Sequence, residues 1–221
     1  MERMEDFFAS RVNGYEEHML SAVEGCKQAY ALLPSLLPAS CSNLLDLGCG
    51  TGLELKQIFK KFPDLSVTGI DLTREMLDKL KHNFPEKNIN LICGSYFDVD
   101  LKKKEYDCAV SFQTMHHFEH KVKIGLYQKI FGALTDHGLY IECDYMVEDQ
   151  GEEDYYFSEN SRIRQELGIP KGEFYHYDTP CTISNQIAML KKGGFGRVEL
   201  VLHISNTTIL AAYKQTRQKE E

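Results

Sequence analysis

The run "NLLDLGCGTGLELKQIF", Asn43 to Phe59, places glycines at the alternate positions 48, 50 and 52 between an apolar stretch and one of helical spacing. A structural turn needs one glycine or two. Three in this arrangement keep side chains off a length of backbone that something else approaches. At the point where a strand gives way to a helix, such a backbone presents its N–H groups to a ligand.

The remainder of the chain repeats that strand-to-helix rhythm. Tyr15 to about Leu33 carries apolar residues at helical spacing (Met19, Ala22, Val23, Cys26, Tyr30), and a helix there is expected to stop before Pro34. Strands are expected over 43–47, 66–70, 89–93, 106–112 and 138–146, with helices over 52–61, 73–83 and 119–134. Strands separated by helices of this length imply right-handed crossovers and a parallel sheet with helices on both faces, an α/β fold. Residues 147–181 depart from the rhythm: polar, rich in acidic and aromatic side chains and without a strand signal, they read as an insertion. One helix is expected in it near 158–167, followed by a loop through "GIPKGEFYHYDTP". A helix near 182–193 closes on Gly193 and Gly194, and strands over 197–204 and 207–214 flank the tight turn Ser205-Asn206. An otherwise parallel sheet thus ends in an antiparallel hairpin. Residues 215–221 read as a tail.

With 221 residues, 43% of them hydrophobic, the chain can bury one sizeable core. Its 33 acidic and 25 basic side chains give a formal charge of −8, which argues against nucleic acid as a partner, since such binding rests on clustered Lys and Arg. The seven cysteines form no C-x-x-C pair, and Cys49, Cys93, Cys108 and Cys143 lie in or beside strand-like runs as small hydrophobes. A reducing cytoplasm is the expected compartment. The N-terminus "MERMEDFFAS" lacks a signal sequence, and no apolar run approaches the ~18–20 residues that span a bilayer, so no membrane association is expected.

The glycine loop differs from the dinucleotide fingerprint G-x-G-x-x-G, because its third glycine follows the second by two residues and Asp46 precedes it within the strand. Nineteen residues beyond Gly52, at the end of the next strand, "VTGIDLT" supplies Asp71, a carboxylate placed to accept from both hydroxyls of a ribose. In order, "LLDLGCGTG", "VTGIDLTREML", "NLICGSYFD", "YDCAVSFQTMHHF" and "GLYIECDY" resemble the successive motifs of the class I S-adenosylmethionine-dependent methyltransferases, from about Asn43 to Lys214. The resemblance implies a Rossmann-like sheet of seven mostly parallel strands in the order 3-2-1-4-5-7-6, strand seven antiparallel. It also implies S-adenosylmethionine as cofactor, S-adenosylhomocysteine as product and a small-molecule methyl acceptor.

By that resemblance, Gly48, Cys49, Gly50 and Gly52 form the loop beside the methionine and ribose parts of the cofactor. Asp46 lies near the methionine amino group, directly or through water. Asp71 holds the ribose hydroxyls, Leu72 and Met76 lie against the adenine, and Gln113 borders the methionine end. Ser95 and Tyr96 follow Gly94 where the family often has an acidic residue, so the adenine amino group is expected to meet Ser95, Tyr96 or Asp98. "FFASRVNGYEEHM" resembles the arm that precedes the core in small-molecule members, with Tyr15 as the aromatic that folds over the sulfonium and Arg11 bracing it. The implied division is an arm over 1–42, a cofactor-binding core over 43–146 and 182–214, and a lid-like insertion over 147–181.

Methyl transfer from a sulfonium is an in-line displacement, so positioning and exclusion of water carry most of the catalysis. A base is needed only where the acceptor holds a proton. The candidates are His116, His117, Asp144, His176 and Tyr15, with Glu142, Tyr145, Tyr155, Tyr156 and Tyr177 as further polar groups of strand five and the insertion. The four tyrosines and His176 fit a pocket for a cation or a planar ring. His116 and His120 stand at i, i+4, but no nearby residue completes a zinc set, and no metal is expected. Two other readings remain open: a carboxy-S-adenosylmethionine synthase-like enzyme that modifies the cofactor itself, and a non-catalytic cofactor-binding subunit. The former needs a cation for its added carboxylate, and Arg74, Arg162 and Arg164 do not align to that role.

Overall fold

Strand β1 (Asn43–Leu47) is buried at every position but its first, and its alternation divides the interior in two. Leu44 joins a core formed with helices α3 (Cys26–Leu36), α4 (Leu55–Lys61) and α5 (Arg74–Asn83), whereas Leu45 and Leu47 join one formed with α6 (His120–Ala133) and α8 (Ile183–Lys192). Asp46 shares the parity of Leu44. A carboxylate is thereby turned into an apolar face, a placement that requires a functional or structural reason.

The computed structural model describes residues 1–214; the tail read over 215–221 lies outside the described residues. Around β1 the sheet adds β2 (Ser66–Asp71), β3 (Ile89–Cys93), β4 (Tyr106–Phe112), β5 (Leu134–Val147), β7 (Arg197–Ile204) and β8 (Thr207–Tyr213) in the order 3-2-1-4-5-8-7. A two-residue strand, β6 (Cys181–Thr182), pairs with the end of β5 and makes the count eight. Without it, the order is the expected 3-2-1-4-5-7-6. β8 runs antiparallel to both β5 and β7, and the other pairings are parallel. Among the described residues no helix is long and apolar enough to cross a membrane.

Several segments differ from expectation: β5 starts at Leu134, four residues before the expected 138, and α4 starts at Leu55, three after the expected 52. The single helix read over 15–33 is two, α2 (Tyr15–Ser21) and α3, broken at Gly25, where φ is +84°. Helix α3 also continues through Pro34 to Leu36, with Leu33 and Pro34 buried on its inner side. The insertion helix α7 spans Gln150–Glu166, starting eight residues before the expected 158, because Asp149 caps it by accepting from the Glu152 N–H at 3.1 Å. Finally, a short helix α1 (Met4–Ala9), which the periodicity did not suggest, opens the arm. Its start is sewn to the insertion: Met4 N–H donates to Phe174 O at 3.1 Å, His176 N–H donates to Glu2 O at 3.0 Å, and Arg3 pairs with Tyr175 as an antiparallel bridge.

The joint at Gly25 is tight as well as left-handed, since an added Cβ would lie 2.9 Å from Thr207 Cβ and 3.0 Å from Ile204 O. Gly25→Ala is therefore expected to lower the unfolding free energy by about 1–3 kcal/mol, read as a lower urea midpoint with an unchanged slope. An unchanged midpoint would mean that the α2–α3 joint yields freely.

Candidate active site

The three glycines separate into two tasks. A Cβ on Gly48 would meet Thr114 Oγ1 at 2.7 Å, and one on Gly50 would meet nothing closer than Tyr15 Cε1 at 3.8 Å. Both line a cleft at the carboxyl ends of β1, β2 and β4. Gly52 is different: its Cβ would sit 2.9 Å from Leu80 and Phe84, so it lets the loop pack against α5 and lies away from the cleft.

The loop is pinned by Asp71 at the end of β2. Its Oδ2 accepts from Gly50 N–H at 2.9 Å and its Oδ1 from Thr73 N–H at 2.8 Å. Each carboxylate oxygen keeps a lone pair for a further donor, and Asp71 faces the cleft. Leu72, Met76, Gly94, Ser95, Tyr96 and Gln113 line the same space. Ser95 is partly engaged, accepting from Phe97 N–H at 3.2 Å, and the Tyr96 and Thr114 hydroxyls lie 3.0 Å apart. Sequence reasoning missed the apolar wall, to which Met4, Phe8, Phe97, Phe118 and Phe174 contribute. The double Phe of "FFASR" was its one visible signal.

Besides Gly52, two expected cofactor contacts do not reach this cleft. Cys49 is buried with its Sγ turned toward Gly69. Asp46, 1% exposed, faces the α3–α4 side beside Glu54. Both Asp46 oxygens, Glu54 Oε1 and Thr51 Oγ1 lack a hydrogen-bond partner. Burial raises the Asp46 carboxyl to about 7, and burial with the Asp46 charge raises Glu54 further. This acid pair beneath the glycine loop is suited to a cationic ligand group or to a shared proton.

A second, larger cavity opens beside the first. Phe8, Tyr15 and Gln113 line both. His116, His117 and His176 line the second cavity, with Tyr145 and Asp178. Asp144 stands behind the cavity, where its Oδ1 pairs with His116 Nδ1. Burial opposes a charge on His116, yet the Asp144 and Asp178 carboxylates raise it to about 9. Burial and the His116 charge lower His117, while burial and His117 lower His176 to about 4. Asp178, flanked by imidazoles, is held well below the usual carboxylate range despite its burial. Asp178 carried no periodic or motif signal in "FYHYDTP", and the sequence reading passed over it.

Glu142 reaches neither cavity; it is fully buried, accepting from Tyr140 Oη at 3.0 Å and from Gln186 Nε2. Of the insertion's aromatics, His176 reaches the second cavity and Phe174 the first, whereas Tyr155, Tyr156 and Tyr177 line neither. His120 is drawn away from His116 into an ion pair with Glu153 at 2.8 Å.

A doubly wound sheet closed by an antiparallel hairpin, with a glycine cradle and a carboxylate at the ends of its first two strands, defines a Rossmann-like methyltransferase domain. Residues 44–138 match the family model described as "Methyltransferase domain". Over that segment the chain carries a methyltransferase domain, and its sheet has the Rossmann-like fold of the class I S-adenosylmethionine-dependent methyltransferases. It is 33% identical over 75 residues to a malonyl-[acyl-carrier protein] O-methyltransferase from Priestia megaterium, a match covering 34% of this chain and 27% of that protein. It is 22% identical over 229 residues to a carboxy-S-adenosyl-L-methionine synthase from Nitratiruptor sp., covering 98% of this chain and 96% of the other. Among solved structures, the Haemonchus contortus phosphoethanolamine N-methyltransferase 2, in complex with phosphomonomethylethanolamine and S-adenosylhomocysteine, superposes with a TM-score of 0.70 at 16% identity. That likeness covers 96% of this chain and 60% of the other.

A carboxyl whose folded pKa is raised, as at Asp46, contributes stability that is full below the ordinary 3.8 and lost as pH rises through about 7. Asp46→Asn is therefore expected to flatten the fall in Tm of the ligand-free protein between about pH 4 and pH 8. An unaltered slope would assign that titration to other groups.

Proposed function

We propose that the protein transfers the methyl group of S-adenosylmethionine to a small-molecule acceptor. The observation that carries this reading is the shared wall of the two cavities. Phe8, Tyr15 and Gln113 mark where the cleft that holds Asp71, Gly48 and Gly50 opens into a chamber lined with imidazoles. The cofactor supplies an electrophilic methyl group, and the chain's residues bind, orient and dehydrate.

The residues present fit that cofactor. The free lone pairs of Asp71 accept from ribose hydroxyls, Gly48 and Gly50 clear the backbone, and Leu72, Met76 and Phe97 offer apolar surface to a planar base. The buried Asp46–Glu54 pair beneath the loop would favour a cationic group brought near it, through an ordered water, by giving up its raised protons. Phe8 and Tyr15 exclude water at the junction, where methyl and acceptor must meet in line. At neutral pH His116 keeps its proton and is no base. His117 and His176 are neutral there, so they are placed to take a proton from an acceptor.

Full-length similarity to carboxy-S-adenosyl-L-methionine synthases supports a second reading, modification of the cofactor itself. That chemistry needs a cation for the added carboxylate. The only Lys or Arg on either cavity among the described residues is Arg11, which pairs with Glu2 at 3.0 Å and stacks on Phe7. Arg11 and the protonated His116 are the cations that this second reading would use.

Calorimetric titration with S-adenosylmethionine and S-adenosylhomocysteine tests the cofactor site. Asp71→Ala is expected to weaken both by about 1–3 kcal/mol. Equal affinity in the variant would refute the ribose assignment. Release of S-adenosylhomocysteine across phenols, thiols, amines and carboxylates then tests transfer, and a cofactor that gains the mass of a carboxyl group would select the second reading. Tyr15→Phe is expected to lower turnover more than cofactor affinity; a loss of folding alone would make Tyr15 a packing residue.

A further inference from the structure

Three imidazoles converge on one carboxylate oxygen in the second cavity. Asp178 Oδ1 lies 3.4 Å from His117 Nδ1, 3.5 Å from His116 Nε2 and 3.8 Å from His176 Nε2. Oδ1 is buried, yet it makes no hydrogen bond. Donor atoms of His116, His117 and Asp178 all lie within 4.8 Å of one another. An ion held at about 2.0–2.2 Å by tetrahedral N and O donors sets those donors about 3.3–3.6 Å apart, which the His116–Asp178 and His117–Asp178 separations match; His117 Nδ1 also lies 3.4 Å from Tyr177 O, a contact the ion would replace.

The surroundings are those of a metal site too. A metal-bound imidazole commonly donates its second N–H to a carboxylate, which fixes its tautomer and ring orientation. Asp144 stands in that relation to His116 Nδ1 and leaves Nε2 to face Asp178. Asp144 is itself fixed, accepting from Tyr145 N–H at 2.8 Å. Phe7 stacks on His176 with ring centroids 3.4 Å apart and holds that ring at the rim.

We propose that His116 Nε2, His117 Nδ1 and Asp178 Oδ1 bind a first-row divalent metal ion, with the fourth position open to the cavity and flanked by His176. Two imidazoles and a carboxylate suit zinc or ferrous iron, and three protein ligands with an open position are the arrangement of metal sites that act on a ligand. The role that follows rests on the methyltransferase reading. The open position would hold an acceptor hydroxyl or thiol and ease loss of its proton, making oxygen or sulfur acceptors the favoured class. With His117 committed to the ion, His176 is the imidazole left to receive that proton.

The test is equilibrium dialysis of tag-free, chelator-treated protein against Zn²⁺, read by elemental analysis, with Co²⁺ as a visible-absorption probe of geometry. One ion per chain is expected, with tetrahedral Co²⁺ bands. His117→Gln and Asp178→Asn should each abolish saturation, and Asp144→Asn, a positioning change, should weaken the ion by roughly 10–100-fold. Cys93→Ser should leave binding unchanged and excludes the exposed thiol as the ligand. Circular dichroism and S-adenosylhomocysteine calorimetry on each variant establish that it folds and that the cofactor cleft stands. Failure to bind Zn²⁺ or Co²⁺, or binding that survives in both His117→Gln and Asp178→Asn, overturns the proposal. Metal binding without cofactor binding would instead count against the methyltransferase reading.

Discussion

The Asp71 carboxylate accepts from backbone N–H groups on two different loops, Gly50 from the end of β1 and Thr73 from the end of β2. That pair of bonds sets the distance between the glycine loop and the start of α5, and hence the width of the cleft. A side chain that positions backbone and ligand together is difficult to replace. Asn keeps the shape but loses one acceptor, and Glu pushes the loop outward. Everything that gathers around the cleft, from Phe8 to Phe118, packs against a frame this residue holds.

Further from the cleft, the sheet tolerates an unusual amount of buried polarity by satisfying most of it. Lys123, 1% exposed, donates to Gln186 Oε1 and to Cys181 Sγ, both at 2.9 Å. Gln186 in turn donates to Glu142, which also accepts from Tyr140, whose hydroxyl lies 2.7 Å from Ser111 Oγ. Buried charges arranged in this way fix α6 and α8 against β5 with an orientation that apolar contacts alone leave loose. The acid pair Asp46–Glu54 is the contrast: it is equally buried and unsatisfied. Polar groups left without partners in an otherwise satisfied interior point to a ligand.

Much of this was legible in the chain. The strands 43–47, 89–93, 106–112 and 197–204 fall where alternation and apolar runs put them, because each buries a face whose pattern is local. The sheet order and the hairpin follow from the same rhythm. Helix α7 was half read because its first turns carry almost no apolar stripe; they are held by the Asp149 cap and by Glu153, which accepts from Thr182 N–H and from the Asn185 amide across the insertion. Such contacts join residues about thirty positions apart, beyond the reach of periodicity. The glycines were read as one device, yet only neighbours from α5 reveal that Gly52 packs while Gly50 opens. Asp178 had no signal at all, being a single carboxylate in a loop whose partners come from the far side of β4.

The pairing of residues 2–4 with 174–176 has a consequence for how the molecule comes into being. Arg3 reaches Glu173 across 170 positions of chain, with an ion pair of 2.9 Å. During synthesis residues 2–4 therefore leave the ribosome about 170 positions ahead of the residues they pair with. Until then Met4, Phe7 and Phe8 expose apolar surface that has nothing to cover. Transiently exposed apolar surface of this kind invites misassociation, and the two chambers are roofed only once residues 173–176 have emerged to meet it.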